Sequence, residues 1–104
     1  MAIAISKNRI NIRLTDERWQ HITTGHPEIA AYYYELLETI EEPDIIYEGN
    51  NNANIAIKKF KERNDKFVVV IYKEEKRDGF IITAYFSNRQ QEFKTKKILW
   101  KQHS

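Results

Sequence analysis

Two histidines in the first third of the chain could supply acid–base chemistry. His21 and His26 lie within the segment TDERWQHITTGHPE, which occupies residues 15–28. Imidazole titrates near neutral pH, so such a group can accept or donate a proton under physiological conditions. Two imidazoles with an arginine or lysine suffice to cleave RNA without a metal. One group takes the proton of the 2′-hydroxyl, another protonates the leaving 5′-oxygen, and a cation with hydroxyl donors stabilises the phosphorane.

A late apolar segment, GFIITAYFS, supplies three hydroxyl groups with strand spacing. In a strand, side chains alternate between the two faces. Thr83, Tyr85 and Ser87 therefore share one face with Ile81, and the opposite face, predicted to pack against the helices, carries Phe80, Ile82, Ala84 and Phe86. Thr and Tyr also favour strands on a solvated sheet face, and taken alone the segment fits that structural role better.

Basic residues at positions 58–63 are candidates for phosphate contact. We predict that Lys58 and Arg63, together with Ser87, contact RNA phosphate. By alternation Lys58 shares a face with Ala56 and Phe60. The sequence does not indicate which face meets the hydroxyl groups, and the remaining lysines fit a solvated surface equally well.

The two histidines do not form a metal-binding pattern. Two ligands on one helical face require a separation of three or four residues, whereas these are five apart with Gly25 between them. The chain contains no cysteine, which excludes thiolate metal sites, disulfides and a cysteine nucleophile. Neither a phosphate-binding glycine loop nor a nucleotide-cofactor motif is present. We therefore expect neither a metal nor a cofactor.

Composition indicates one soluble globular domain over residues 1–104. The apolar share of 41% and the charged share of 31% are ordinary for this class. A formal net charge of +2 permits a nucleic-acid partner without requiring one. No apolar run is long enough to span a membrane, and residues 1–5 are too short for a signal-peptide core. We expect a cytoplasmic protein with no membrane partner.

Two helices are predicted early in the chain. Thr15 offers a capping hydroxyl, and acidic residues follow it in the first turn, where the helix dipole favours them. We expect this helix to end at Gly25 in a left-handed conformation. Pro27 then starts a second helix, predicted to continue to Glu42 because apolar residues recur at helical spacing.

The rest of the chain has strand patterns separated by turn signals. Strands are predicted at residues 3–5, 10–14, 44–48, 55–60, 67–72 and 80–86, with a last strand or docked tail at 98–100, and turns at 49–52, 64–65 and 77–79. Helices followed by hairpin-linked strands predict an α+β fold. The N-terminal helices would pack on one face of a mostly antiparallel sheet, leaving the other face for function or solvent.

Four motifs in this order resemble a phage- and plasmid-associated branch of the barnase/EndoU/colicin/RelE-like (BECR) ribonuclease superfamily. They are LTDERWQHITTGHPE, ETIEEPDIIYEG, FVVVIYKEE and GFIITAYFS, and together they extend over residues 14–87. The resemblance implies a barnase/RelE-like domain that cleaves RNA without metal and forms cyclic-phosphate ends. It also implies a toxin that in many members is neutralised by a cognate antitoxin protein.

The resemblance extends to individual residues. His21 matches the RW-x-HI motif, His26 matches HPE, and Thr83 and Tyr85 match TAY, while a basic strand residue such as Lys58 would contact phosphate. We expect His21 to act as the general acid or base and the two hydroxyl residues to contact phosphate or base. His26 is expected mainly to position the helix junction.

Two other functions fit the same residues. The first is a non-catalytic RNA- or ribosome-binding or protein-interaction module of this fold, since fold alone does not define function. The second is a small structural or regulatory domain in which His21 is incidental. Cleavage of RNA in EDTA supports the enzyme, whereas a salt-sensitive mobility shift of intact RNA supports the binding module. The enzyme hypothesis requires His21 to lie on the same side of the molecule as Thr83 and Tyr85.

Overall fold

A computed structural model describes residues 1–61 and 66–103 of the chain. This part contains two α-helices and seven strands: β1 Ala2–Ile5, β2 Asn11–Leu14, α1 Asp16–Gly25, α2 Tyr33–Glu41, β3 Ile45–Glu48, β4 Ala53–Lys59, β5 Phe67–Glu74, β6 Asp78–Ser87 and β7 Ile98–Lys101. The strands form one sheet in the order β1-β2-β6-β5-β4-β3-β7. Neighbouring strands are antiparallel except β2 and β6, which are parallel. The predicted α+β class with a mostly antiparallel sheet is confirmed.

Helix α1 begins and ends at the predicted residues, but its last residue is not left-handed. The Thr15 hydroxyl accepts a hydrogen bond from the Arg18 backbone N–H at 3.1 Å, which is the expected N-cap. The helix extends through Gly25, but none of the three glycines, all of them in the described residues, has a positive φ. His26 terminates the helix instead, and its backbone N–H donates to the Ile22 carbonyl at 2.7 Å.

The predicted continuous second helix over residues 27–42 is wrong. Pro27–Ile29 forms a 3₁₀ turn, and α2 starts at Tyr33. Ile29 is completely buried, and the Tyr32 ring packs edge-on against Phe86 with centroids 4.9 Å apart. These contacts with the sheet outweigh the helical propensity of the connecting residues, because tertiary packing routinely overrides local preference.

The turn between β5 and β6 lies earlier than predicted. Backbone hydrogen bonds join Glu75 and Asp78, and Gly79 lies inside β6. A Cβ atom at position 79 would collide with the Lys73 carbonyl oxygen and would lie 2.6 Å from Ile12 Cδ1. Glycine is therefore needed here for close approach of neighbouring strands. The turn predicted at residues 64–65 lies outside the described residues.

A β-bulge divides β6 into two halves. Tyr72 pairs with Ile81 and Ile71 pairs with Thr83, so Ile82 has no partner of its own on β5. The extra residue shifts the alternation of side chains. The prediction that Ile81 shares a face with Thr83 is consequently wrong, since Ile81 is buried on the helix side with Ala84.

Two apolar clusters lie on opposite faces of the sheet. The helix-side core contains Ala4, Ile12, Leu14, Ile22, Ile29, Leu36, Ile40, Ile46, Ala56, Phe60, Val68, Val70, Tyr72, Ile81 and Ala84. The second core contains Ile45, Tyr47, Ile55, Ile57, Phe67, Val69 and Phe93. The face opposite the helices is therefore partly covered, by the 3₁₀ turn Gln90–Phe93. β7 pairs with β3 as a strand and is not merely a docked tail. No described helix is long and apolar enough to cross a membrane.

Candidate active site at the edge of strand β6

The second half of β6 is an edge of the sheet that helix α1 covers. β2 is the neighbour of β6 on this side, and its pairing involves residues 78–80 of β6. Beyond that point, α1 and the Pro27–Ile29 turn pack against β6 in place of a strand. The two histidine-bearing elements and the hydroxyl-bearing strand predicted from sequence are therefore adjacent in space.

Arg18 connects α1 to the bulge. Its Nη1 donates a hydrogen bond to the Ile82 carbonyl oxygen at 3.2 Å. Guanidinium has five N–H donors, so this contact leaves others able to bind an anion at the same edge. Arg18 was not among the predicted site residues, although it is the arginine of the RW-x-HI motif and could have been found there.

His26 contacts Tyr85 directly. The two ring centroids are 5.5 Å apart with the planes inclined at 32°. His26 is fixed at the junction between α1 and the 3₁₀ turn, where its carbonyl accepts the Ile29 N–H at 3.0 Å. Its side chain is 41% exposed, and Nδ1 lies 3.8 Å from Glu28 Oε2. The junction thus fixes the backbone of His26, and the imidazole, in contact with Tyr85, remains partly open to a ligand.

His21 lies on the outer flank of the same helix. Three residues of α-helix place it about 60° around the axis from Arg18. It is exposed and, with Glu17 and Arg18, lines a shallow depression of about 380 Å³. Among the described residues it forms no hydrogen bond, ion pair or ring contact with Thr83 or Tyr85. The structure thus places His26, not His21, in contact with the hydroxyl-bearing strand.

Tyr85 lies beside a carboxylate that the sequence did not indicate. Burial in the first place, and the negative charge of Glu92 in the second, raise the pKa of Tyr85 above its ordinary value of 10.0. The phenol is therefore protonated at neutral pH and can donate a hydrogen bond. Glu92 belongs to the Gln90–Phe93 turn, which Phe93 anchors in the second core. No motif marks Glu92, because its position depends on that tertiary contact.

The remaining hydroxyl residues have different surroundings. Thr83 and Ser87 pair with Ile71 and Phe67, so both lie on the same face as Tyr85. The Ser87 hydroxyl accepts from the Arg89 N–H at 3.1 Å and donates to Glu92 Oε1 at 3.4 Å. Ser87 thus positions Glu92, and its hydroxyl is already engaged in two hydrogen bonds.

Lys58 lies on the helix side of the sheet, away from Tyr85. Its Nζ donates to the Glu42 carbonyl at 2.7 Å and lies 3.8 Å from Glu38 Oε2. Its partner on β5 is Val68, a member of the helix-side core. A lysine at the end of a helix satisfies free carbonyl groups, which accounts for this position. The structure does not bring Lys58 together with the predicted site. Arg63 lies outside the described residues.

Four groups therefore meet or flank the second half of β6: the Arg18 guanidinium, the His26 imidazole, the Tyr85 phenol and the Glu92 carboxylate. Such a set can transfer protons and stabilise negative charge on a phosphate. Within residues 1–61 and 66–103, no three histidine, aspartate or glutamate side chains gather as metal ligands would.

Comparison with known proteins identifies the family. The model for the family described as phage-Barnase-EndoU-ColicinE5/D-RelE like nuclease2 (PBECR2) matches residues 2–101. No curated protein and no solved structure matches the chain significantly. The family match covers every helix and strand named above. The chain therefore belongs to the PBECR2 family of phage-Barnase-EndoU-ColicinE5/D-RelE like nucleases.

Proposed function

We propose that this nuclease-family protein is a metal-independent endoribonuclease that cleaves RNA by acid–base transesterification. The main supporting observation is the His26 imidazole packed against the Tyr85 ring at an accessible edge of the sheet. RNA carries its own nucleophile, the 2′-hydroxyl, so a metal-activated water is not required. A protein that can move two protons and stabilise one phosphorane is then sufficient.

The proposed reaction is an in-line displacement at phosphorus. The 2′-oxygen forms a bond to the adjacent phosphorus, and the bond from phosphorus to the 5′-oxygen breaks. A base accepts the proton of the 2′-hydroxyl while an acid protonates the departing 5′-oxygen, giving a 2′,3′-cyclic phosphate and a 5′-hydroxyl. We assign one of these roles to His26, whose ring contacts Tyr85, and the other to the Glu92 carboxylate beside Tyr85.

Tyr85 and Arg18 are the candidates for charge stabilisation. The raised pKa keeps the Tyr85 hydroxyl protonated, so it can donate to a non-bridging phosphate oxygen. Arg18 is held at the bulge by one hydrogen bond and can direct further N–H groups to the same phosphate. Thr83 offers an additional hydroxyl on this face. His21, on the flank of α1, is retained as a second imidazole that a bound RNA strand could reach.

Cleavage of labelled RNA in EDTA tests the proposal. We expect the wild type to produce 2′,3′-cyclic phosphate ends. His26→Ala should reduce the rate about 10²–10⁴-fold, the usual effect of losing a general acid or base. His103→Ala is the matched control, because His103 is exposed and follows β7, which lies four strands away from β6 in the sheet. Circular dichroism should show that both variants fold.

Each alternative outcome has a defined meaning. Intact RNA with a salt-sensitive mobility shift would favour the non-catalytic binding module. Cleavage that EDTA abolishes would reject metal independence. Wild-type activity in His26→Ala would reject this residue as the acid or base, and wild-type activity in His21→Ala would do the same for His21.

We further propose that the enzyme acts as a toxin in a toxin–antitoxin or phage-related system in the cytoplasm. A nuclease directed at cellular RNA must be restrained in its own host, and a cognate antitoxin protein would provide that restraint. Expression of the wild type should arrest growth, whereas expression of His26→Ala should not. Rescue of growth by a neighbouring reading frame would identify the antitoxin, and normal growth with active wild-type enzyme would reject the toxin role.

A further inference from the structure

A pocket of about 300 Å³ opens on the second-core face beside Tyr85. We call it the Tyr85–Lys96 pocket, and its lining includes Ile55, Ile71, Ile82, Tyr85, Phe93 and Lys96. We propose that this pocket binds a nucleobase of the RNA, with the Lys96 ammonium on the adjoining phosphate. The inference rests on the proposed ribonuclease function and adds to it a nucleotide-binding subsite.

The floor of the pocket suits a flat aromatic ring. Three isoleucines, one from each of the strands β4, β5 and β6, present an apolar surface. Phe93 forms a wall, and its ring is already fixed by stacking on Tyr47 with centroids 5.7 Å apart. Small-molecule pockets measure roughly 300–1,000 Å³, so this one is at the lower limit. Its size therefore fits a single nucleobase better than a larger ligand.

The bulge in β6 joins the pocket to the candidate active site. Ile82, the extra residue, lines the pocket, and its carbonyl oxygen accepts the hydrogen bond from Arg18. Tyr85 lines the pocket and also contacts the His26 ring. A base bound in the pocket would consequently hold its own nucleotide close to the imidazole proposed to transfer a proton.

The charge at the mouth of the pocket favours a phosphate-bearing ligand. Lys96 is half-buried at the rim, and none of the described carboxylates forms an ion pair with it. An ammonium group at this position can bind the phosphate attached to the base. Asn50, from the turn between β3 and β4, also lines the mouth, and its amide offers both a donor and an acceptor to a base edge.

Titration with mononucleotides tests the pocket without depending on catalysis. AMP, GMP, CMP and UMP contain no internucleotide bond, so they can be added to the wild-type protein while backbone amide shifts are followed by NMR. Ribose 5-phosphate is the control ligand. We expect at least one nucleotide to bind roughly 5- to 100-fold more tightly than ribose 5-phosphate, as base stacking predicts. The largest shifts should occur at residues 82, 85 and 96.

Two lysine variants provide a matched pair. Lys96→Ala should weaken nucleotide binding about tenfold or more, because a charged hydrogen bond to phosphate is lost. Lys97→Ala should change it by less than about twofold, since Lys97 is exposed and does not line the pocket. Ile82→Trp, which fills the pocket, should abolish binding, and the lysine pair keeps the test decisive if that variant does not fold.

The results separate failure of the pocket from failure of the enzyme. Equal affinity for ribose 5-phosphate, or equal losses in the two lysine variants, would overturn the base-binding proposal. Amide shifts located away from residues 82, 85 and 96 would also overturn the base-binding proposal, even if the protein cleaves RNA. Specific nucleotide binding by a protein that leaves RNA intact would support the pocket and reject the proposed ribonuclease.

Discussion

The two faces of the sheet are built very differently. The described residues place fifteen buried side chains in the helix-side core, under α1 and α2, and seven in the second core, under one short turn. The candidate site and the pocket both use the thinly covered face and its edge. Regions with few buried apolar contacts open most easily, so binding surfaces are commonly drawn from them. The helix side thus supports the fold, and the second face is available for ligands.

The largest combined effect on stability and cleavage should come from removing the anchor of the second face. Phe93→Ala should lower the free energy of unfolding by about 3 kcal/mol, toward the lower end for Phe→Ala because a short surface turn can relax. It should also reduce RNA cleavage by a factor of about 10² or more, since Glu92 and one wall of the pocket are no longer positioned. Urea unfolding and single-turnover cleavage measure the two effects.

Leu36→Ala is the control on the helix side. Leu36 is completely buried, and its truncation should cost about 2–5 kcal/mol of unfolding free energy. Cleavage per folded molecule should stay close to wild type, because Leu36 packs on the face opposite Tyr85. An equal loss of cleavage in both variants would show that stability, not the second face, controls activity.

An intermediate loss of stability should appear at high pH. The helix-side Tyr72 should contribute more to this loss than Tyr85 on the second face. Burial and then the charge of Glu74 raise the pKa of Tyr72 far above its ordinary 10.0, a larger change than for Tyr85. The unfolded chain loses these protons near pH 10 while the folded protein keeps them. Stability is therefore unaffected below about pH 10 and falls as the pH rises further.

Phenylalanine variants separate the two tyrosines. Tyr72→Phe should remove more of the alkaline decline in unfolding free energy than Tyr85→Phe. Urea unfolding between pH 7 and pH 11 measures how the free energy of unfolding of each variant changes with pH. If Tyr85→Phe removed more of this alkaline decline than Tyr72→Phe, the result would contradict the stronger burial of Tyr72.

The smallest effect is expected at Lys58. Lys58→Ala should lower the free energy of unfolding by about 0.5–1 kcal/mol, because a partly exposed lysine contributes little through its helix-end and carboxylate contacts. RNA cleavage should stay within about twofold of wild type. A tenfold loss of cleavage would restore the sequence-based prediction that Lys58 contacts phosphate, and would imply that RNA reaches the helix side.

Patterns among neighbouring residues predicted most of the helices and strands, but not the positions at which these elements break. The Thr15 cap, the alternation through residues 10–14 and the apolar run before Tyr72 depend on near neighbours in the chain, so they could be read from the sequence. The break before α2 and the position of Gly79 depend on strands distant in sequence. Propensity contains no information about such contacts.

The candidate site likewise contains residues that sequence patterns could indicate and residues that depend on tertiary contacts. A motif marked His26 mainly as a residue of the helix junction, and alternation correctly placed Tyr85 opposite the helix-side core, but their contact joins residues 59 positions apart. Glu92 and Lys96 belong to no motif, and they reach the site because Phe93 is inserted into the second core. A prediction that Phe93 is buried would have been needed to find them.

The unpaired residue in β6 can be removed without changing the face that its neighbours occupy. Tyr72 pairs with Ile81 and Ile71 pairs with Thr83, so deletion of residue 82 would join these pairs into a regular ladder. Ile81 and Ala84 would stay on the helix side, and Tyr85 would stay on the opposite face. The deletion would remove the carbonyl that accepts the Arg18 hydrogen bond and one isoleucine of the Tyr85–Lys96 pocket. We therefore expect the bulge to serve the ligand-binding edge of the strand, and the fold to survive without it.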